Sequence, residues 1–100
     1  MSITQSFDSK NKKLVITITG SFNFSEYKDF RNAYKNIPPD KNIDVSVNLA
    51  QAEHMDSAAL GMLLLLDEHF KDQCIKIINC SDYIKQALDI VNFGKKFNIS

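Results

Sequence analysis

Hydrophobic residues recur along this 100-residue chain with two different spacings, and the spacing changes from segment to segment. Alternation of apolar and polar residues predicts strands, whereas apolar residues three and four positions apart predict amphipathic helices. Strands are predicted over residues 3–7, 13–19, 43–49, 74–79 and 95–99. Helices are predicted over residues 25–37 and 57–71, and a third helix follows a Ser81 cap. The order of elements is therefore β-β-α-β-α-β-α-β.

The strand predicted over residues 43–49 has the clearest alternation in the chain. One side would carry four apolar residues and the other three polar ones: Ile43, Val45, Val47 and Leu49 against Asp44, Ser46 and Asn48. A strand between two helical layers is apolar on both sides, so this pattern predicts a sheet whose helices lie mainly on one face. The predicted fold is an α/β domain spanning residues 1–100, with a mixed central sheet of four to five strands.

Turn-forming residues predict where several elements begin and end. Gly20 is expected to end the second strand. Ser25 is a preferred helix cap and is expected to begin the first helix, which Pro38 ends because proline cannot supply the next N–H. The third helix is expected to bury a stripe that ends at Val91, and Gly94 fits the left-handed position after it.

Composition and charge exclude several classes of protein. Twelve Lys and Arg balance twelve Asp and Glu, so nothing favours nucleic acid or an anionic membrane surface. The N-terminus lacks the basic and apolar regions of a secretory signal, and the protein is predicted to be cytoplasmic. Cys74 and Cys80 have neither redox nor zinc spacing and are interpreted as reduced, half-buried strand residues. A metal site made by His54, Asp56 and His69 is a weak hypothesis. The two histidines are interpreted instead as loop and helix-surface residues.

The second predicted helix begins with small and polar residues and then becomes almost wholly apolar. At about 100° per residue, its core face is expected to comprise Ala59, Met62, Leu63, Leu66 and Phe70. Four residues fall off that face and would form an exposed docking strip for another chain: Ala58, Gly61, Leu64 and Leu65. Glycine inside a helix costs about 1 kcal/mol relative to alanine. Close approach of another backbone at Gly61 is therefore expected.

Ser57 stands at the start of this helix and has two compatible interpretations. Serine is a preferred N-cap, and the cap alone would explain its presence. A phosphate at the same place would also be favoured, because the helix dipole and the free amides attract an anion. Phosphorylation would add about −1.5 to −2 charges beside Asp56, within an apolar surface, and would oppose partner binding without unfolding the helix.

Two segments resemble a known family. Residues 56–64, Asp-Ser-Ala-Ala-Leu-Gly-Met-Leu-Leu, are similar to the D-S-[SA]-[GA]-[LI]-[GA]-x-[LI]-[LI] signature of STAS domains, and more narrowly of stand-alone bacterial anti-sigma-factor antagonists. Residues 18–24 match the turn that follows the second strand in that family. Asn23 stands where many relatives have Asp, and Ala58-Ala59 replaces the commoner Ser-Gly. Variants of this kind resemble regulators of biofilm formation and motility.

The resemblance implies a partner-switching regulator. Ser57 would be phosphorylated by an anti-sigma factor and serine kinase of the histidine-kinase-like ATPase fold, and a PP2C-type phosphatase would reset it. The unphosphorylated form would bind the kinase and relieve its inhibition of a sigma factor or related regulator. The partner-binding residues expected on this basis are Ser21, Phe22, Asn23, Phe24, His54, Met55, Asp56, Ser57, Ala58, Gly61, Leu64 and Leu65.

Other functions remain open from the sequence. The chain has no nucleophile with a nearby base and no glycine-rich phosphate loop, so it is predicted to be neither an enzyme nor a cofactor protein. A STAS subunit of a lipid-trafficking ABC transporter, which binds its ATPase constitutively, is the first alternative. A STAS domain that senses a nucleotide or another small ligand is the second. Weak self-association through Leu64 and Leu65 is also left open.

Overall fold

The computed structural model describes residues 3–40, 42–71 and 73–100, and these residues form the predicted order of elements. The strands are β1 (Ile3–Asp8), β2 (Lys13–Phe22), β3 (Asp44–Met55), β4 (Ile75–Ile78) and β5 (Phe97–Ile99). The helices are α1 (Tyr27–Asn32), α2 (Ser57–His69) and α3 (Asp82–Ile90). Short 3-10 turns at Phe24–Glu26 and Phe93–Lys95 precede α1 and follow α3.

The five strands form one mixed sheet in the order β1-β2-β3-β4-β5. β1 pairs with β2 antiparallel, and every later neighbour is parallel. Each parallel connection carries one helix. Alternate strand residues are fully buried against these helices: Leu14, Ile16, Ile18, Val45, Val47, Ile75 and Ile77. The α/β class, the mixed sheet and the helices on one face are therefore confirmed.

The opposite face of the sheet is mostly polar, as the alternation in β3 predicts. Asp44 and Lys76 form an ion pair of 3.3 Å across neighbouring strands there. Ser46 is a partial exception because it is buried. No helix within the described ranges is both long and apolar enough to cross a membrane.

β2 and β3 are longer than the sequence pattern predicts. Gly20 does not end β2: it takes a positive φ of 81°, and the strand continues past it with shifts of register. Residues 50–55, which lie between the predicted strand 43–49 and the predicted helix 57–71, are likewise not a loop, because β3 runs to Met55 and pairs with the extension of β2. Glycine reaches positive φ without steric cost, so a residue that looks like a terminator serves as an irregularity within the strand.

The first helix is shorter than predicted and has a different cap. The Asn23 side chain accepts a hydrogen bond from the Ser25 N–H, so Asn23 caps the turn and Ser25 does not. The α-helical part ends at Asn32, and hydrogen-bonded turns continue the chain toward Pro38. Tyr34 and Ile37 are still buried. Turns that retain helix-like spacing can bury the same residues as a helix, which explains the error.

Around β4 and α3 the predicted boundaries are also partly wrong. The Ser81 cap is confirmed, because its side chain accepts from the Ile84 N–H. The left-handed residue after α3 is Asn92 and not Gly94, and Val91 is exposed. β4 is shorter than residues 74–79, so Cys74 and Cys80 both lie outside it: Cys74 is exposed and Cys80 half-buried.

The positive φ at Gly20 gives a direct prediction about stability. Gly20→Ala should lower the free energy of unfolding by about 1–2 kcal/mol, because a Cβ disfavours this backbone conformation. Gly94→Ala is the matched control: an added Cβ has nothing within 4 Å at either position, but only Gly20 has positive φ. Urea unfolding of both variants checks this, and equal stabilities would contradict it.

Candidate functional site

The candidate site lies where the parallel strands β2 and β3 end. Ser21 pairs with His54 and Phe22 with Met55, so both strands end at the same edge of the sheet. The Asp56 N–H then donates to the Phe22 carbonyl at 3.3 Å. This pairing brings the turn after β2 beside the first residues of α2, although more than thirty positions separate them in the sequence.

Asp56 is the N-cap of α2. Its backbone is extended, with φ −101° and ψ −179°, and its Oδ1 accepts from the Ala59 N–H at 2.9 Å. The carboxylate therefore satisfies an amide of the first helical turn and complements the positive end of the helix dipole. The interpretation of Ser57 as the cap is wrong. Ser57 is the first helical residue and is exposed, so its hydroxyl is accessible beside the cap.

Most of the predicted partner-binding residues share this end of the molecule. Eight are exposed: Ser21, Phe24, His54, Asp56, Ser57, Gly61, Leu64 and Leu65. Three are half-buried: Asn23, Met55 and Ala58. Phe22 is the exception, because its side chain is fully buried and its ring lies 5.2 Å from that of Phe30. The prediction that Phe22 contacts a partner is wrong, since alternation within the longer β2 turns it into the core.

Phe24 is the most exposed aromatic residue at this edge, with 68% of its surface accessible. Its ring stacks on Tyr27 with centroids 5.8 Å apart and an interplanar angle of 14°. Asn23 holds the turn between them, since its Oδ1 accepts from both the N–H and the hydroxyl of Ser25. An amide oxygen is sufficient for this bond, so Asn23 performs the structural part of the turn without a charge.

The helical wheel predicted both sides of α2 correctly. Its core face is buried as expected: Ala59, Met62, Leu63, Leu66 and Phe70. Leu64 and Leu65 are 39% and 48% exposed, which is high for leucine. A Cβ at Gly61 would meet nothing within 4 Å. The fold of this chain therefore does not itself require glycine at this position.

His69 and Tyr27 belong to the same surroundings, although neither is among the predicted partner-binding residues. The His69 Nε2–H donates to the Ile37 carbonyl at 2.8 Å, which ties the end of α2 to the chain after α1. His69 also packs against the Tyr34 and Phe70 rings. Burial raises the pKa of the Tyr34 hydroxyl, so this residue stays neutral. The sequence signal that could have pointed to this role is a histidine next to an aromatic residue, His69 before Phe70.

The hypothesis of a metal site is not supported by the geometry. His54 precedes α2 and His69 ends it, and a helix of 13 residues is about 20 Å long. Among the residues that the structure describes, no group of three or more His, Cys, Asp or Glu could hold a metal ion. Burial also raises the pKa of the Cys80 thiol, which disfavours the reactive thiolate.

Comparison with solved structures defines the class of fold. SpoIIAA, an anti-sigma factor antagonist, in its unphosphorylated form gives a TM-score of 0.74 at 14% identity, covering 98% of this chain and 86% of that one. The phosphorylated form of Bacillus SpoIIAA gives 0.68 at 13% identity, covering 98% and 90%. A candidate anti-sigma factor antagonist of Thermotoga maritima gives 0.80 at 11% identity, covering 97% and 84%. The chain therefore has the SpoIIAA-like α/β fold.

Sequence comparison identifies the family within that class. The family model described as STAS domain matches residues 4–100. A STAS-domain containing protein of Pseudomonas aeruginosa strain UCBPP-PA14 is 39% identical over 104 residues, covering 100% of both chains. The chain belongs to the STAS domain family.

The open space around Gly61 leads to a prediction about stability. Gly61→Ala should raise the free energy of unfolding by about 0.5–1 kcal/mol, because alanine is the better helix former and meets no obstacle. Ala58→Gly, one turn earlier, is the matched reverse change and should lower it by a similar or larger amount. Chemical denaturation measures both, and a destabilised Gly61→Ala protein would contradict the prediction.

Proposed function

We propose that this protein is a partner-switching regulator whose binding to another protein is controlled by phosphorylation of Ser57. The observation that carries the proposal is the division of roles at the start of α2. Asp56 caps the helix through its side chain, which leaves Ser57 exposed as the first helical residue. A phosphate could therefore be added and removed there while the cap stays in place.

The surroundings of Ser57 supply the surface on which such a phosphate would act. Gly61, Leu64 and Leu65 are exposed along the same helix, and Phe24 is exposed on the adjoining turn. Exposed apolar side chains of this kind suit contact with a partner protein. The open position of Gly61 supports the same proposal, because a glycine that its own fold does not need allows another backbone to approach closely.

Electrostatics gives the switch its direction. The phosphorylated form would carry about −1.5 to −2 charges next to the Asp56 carboxylate, and burying them against an apolar partner surface would cost several kcal/mol. A hundredfold loss of affinity requires only about 2.7 kcal/mol. Desolvation of the phosphate is therefore sufficient, and phosphorylation would prevent binding without a change of fold.

The family and the fold indicate which partners to expect. We propose an anti-sigma factor and serine kinase of the histidine-kinase-like ATPase fold, which transfers the γ-phosphoryl group of ATP to the Ser57 oxygen and releases ADP. A PP2C-type phosphatase would return the serine by hydrolysis. In this scheme the protein is the substrate of both enzymes and has no catalytic activity of its own. The complex would relieve inhibition of a sigma factor or a related regulator, in the cytoplasm.

Phosphorylation of Ser57 is tested directly by intact mass and site mapping on protein isolated from its own cells. We expect a species heavier by about 80 Da, with the added mass on Ser57. The added mass should be absent from Ser57→Ala and present in Ser25→Ala, the matched control at the exposed serine of the neighbouring turn.

The opposite result has a defined meaning. If Ser57 is unmodified under all growth conditions while the protein copurifies with an ATPase, the switch is contradicted. The constitutive subunit of a lipid-trafficking ABC transporter then replaces it. If the protein instead retains a nucleotide or another small molecule during purification, the ligand-sensing function replaces it.

A further inference from the structure

A groove between α1 and α2 is lined mostly by residues to which the Ser57 switch assigns no role, and it shares Leu65 with the switch surface. Its volume is about 440 Å³, and it is lined by Tyr27, Arg31, Tyr34, Lys35, Leu65, Glu68 and His69. The groove is open along the surface. The bond from His69 to the Ile37 carbonyl fixes one end of it by joining the end of α2 to the segment after α1.

The charges on α1 and on the turn after it are segregated with respect to this groove. Arg31 and Lys35 line it and are exposed, whereas Asp29 lies on the other side of α1, where it lines a separate cavity with Ile3 and residues of β1. Among the described residues that line the groove, Glu68 is the one carboxylate, so cations are in excess there. This local charge is notable because the whole chain has no net charge.

Apolar groups accompany these cations. Leu65 is 48% exposed at the wall that α2 forms, and half-buried Tyr27 lies across from it. The stacked ring of Phe24 extends the apolar part beyond Tyr27. Phe24 lies two residues after Phe22, whose carbonyl accepts from the Asp56 N–H, so the groove continues the surface around Ser57.

The geometry points to an acidic amphipathic helix of the partner protein as the occupant of this groove. Its apolar side would contact Leu65, Tyr27 and Phe24, and its carboxylates would face Arg31 and Lys35. The inference deepens the proposed function, on which it rests for the partner, by naming the segment that the partner supplies.

A helix suits this groove better than an extended segment. One wall is α2, and the other is α1 with the hydrogen-bonded turns that follow it, so neither wall is a sheet edge. An extended segment would need backbone partners like those of a sheet edge, whereas a helix satisfies its own N–H and C=O groups and binds through side chains. The cations of the groove then favour a partner helix with an acidic surface, because like charges would repel.

The test uses two model peptides of 14 residues. Both carry Leu at positions i, i+3, i+4 and i+7, and one has Glu at the remaining exposed positions where the other has Lys. We expect the Glu peptide to bind the wild-type protein at least tenfold more tightly at low salt. Backbone amide shifts on binding should centre on Tyr27, Leu65 and His69. The preference should shrink at high salt, because ions screen exposed charges.

Charge-reversal variants decide whether the groove is responsible. The double variant Arg31→Glu with Lys35→Glu should lose at least tenfold in affinity for the Glu peptide. Lys85→Glu, a control at an exposed lysine beside β5, should change it by less than twofold. Equal binding of both peptides, absence of binding, or amide shifts centred outside the groove would overturn the inference.

The Ser57 switch and the groove can fail separately. Ser57→Ala should alter the affinity for the Glu peptide by less than twofold, because Ser57 does not line the groove and the change adds no charge beside Phe24. Failure to find phosphate on Ser57 would remove the switch and leave the peptide result standing. Failure of the peptide test would remove the acidic helix and leave phosphorylation of Ser57 untouched.

Discussion

The parallel pairing of β2 with β3 over their full length is the constraint on which the site depends. It continues through the irregular positions around Gly20 to the pair of Phe22 with Met55. The next bond, from the Asp56 N–H to the Phe22 carbonyl, fixes where α2 begins relative to the preceding turn. Residues far apart in the sequence consequently form one surface. A shorter pairing would leave the start of α2 in a loop.

Once α2 begins at a fixed place, capping determines what Ser57 can do. If a serine capped the helix, phosphorylation would modify the capping oxygen itself. Here the Asp56 carboxylate accepts the amide bond, so the Ser57 hydroxyl is separate from the structural role. This arrangement supports control of binding by the charge on a surface that is already folded. Asp56 can be adjacent to the proposed phosphorylation site at Ser57 because its carboxylate is held by the capping bond.

The sequence predicted the features that depend on local periodicity. The alternation in β3 gave the one-sided sheet, and the wheel of α2 gave both the buried residues and the exposed leucines. Prediction from the sequence failed where pairing between distant segments overrides local signals. Gly20 resembles a terminator and residues 50–55 resemble a loop, but hydrogen bonds between β2 and β3 make both part of strands. Phe22 was misplaced for the same reason. The groove needed α1 and α2 side by side, which no local pattern shows.

The most direct test of the Ser57 switch is the affinity of the two forms of the protein for the proposed serine kinase of the histidine-kinase-like ATPase fold. Unphosphorylated and Ser57-phosphorylated protein would be titrated against it in the same buffer, with amide shifts recorded to confirm that both forms are folded alike. The switch requires a dissociation constant at least a hundredfold higher for the phosphorylated form, or about 2.7 kcal/mol. Equal affinities, within twofold, would contradict it.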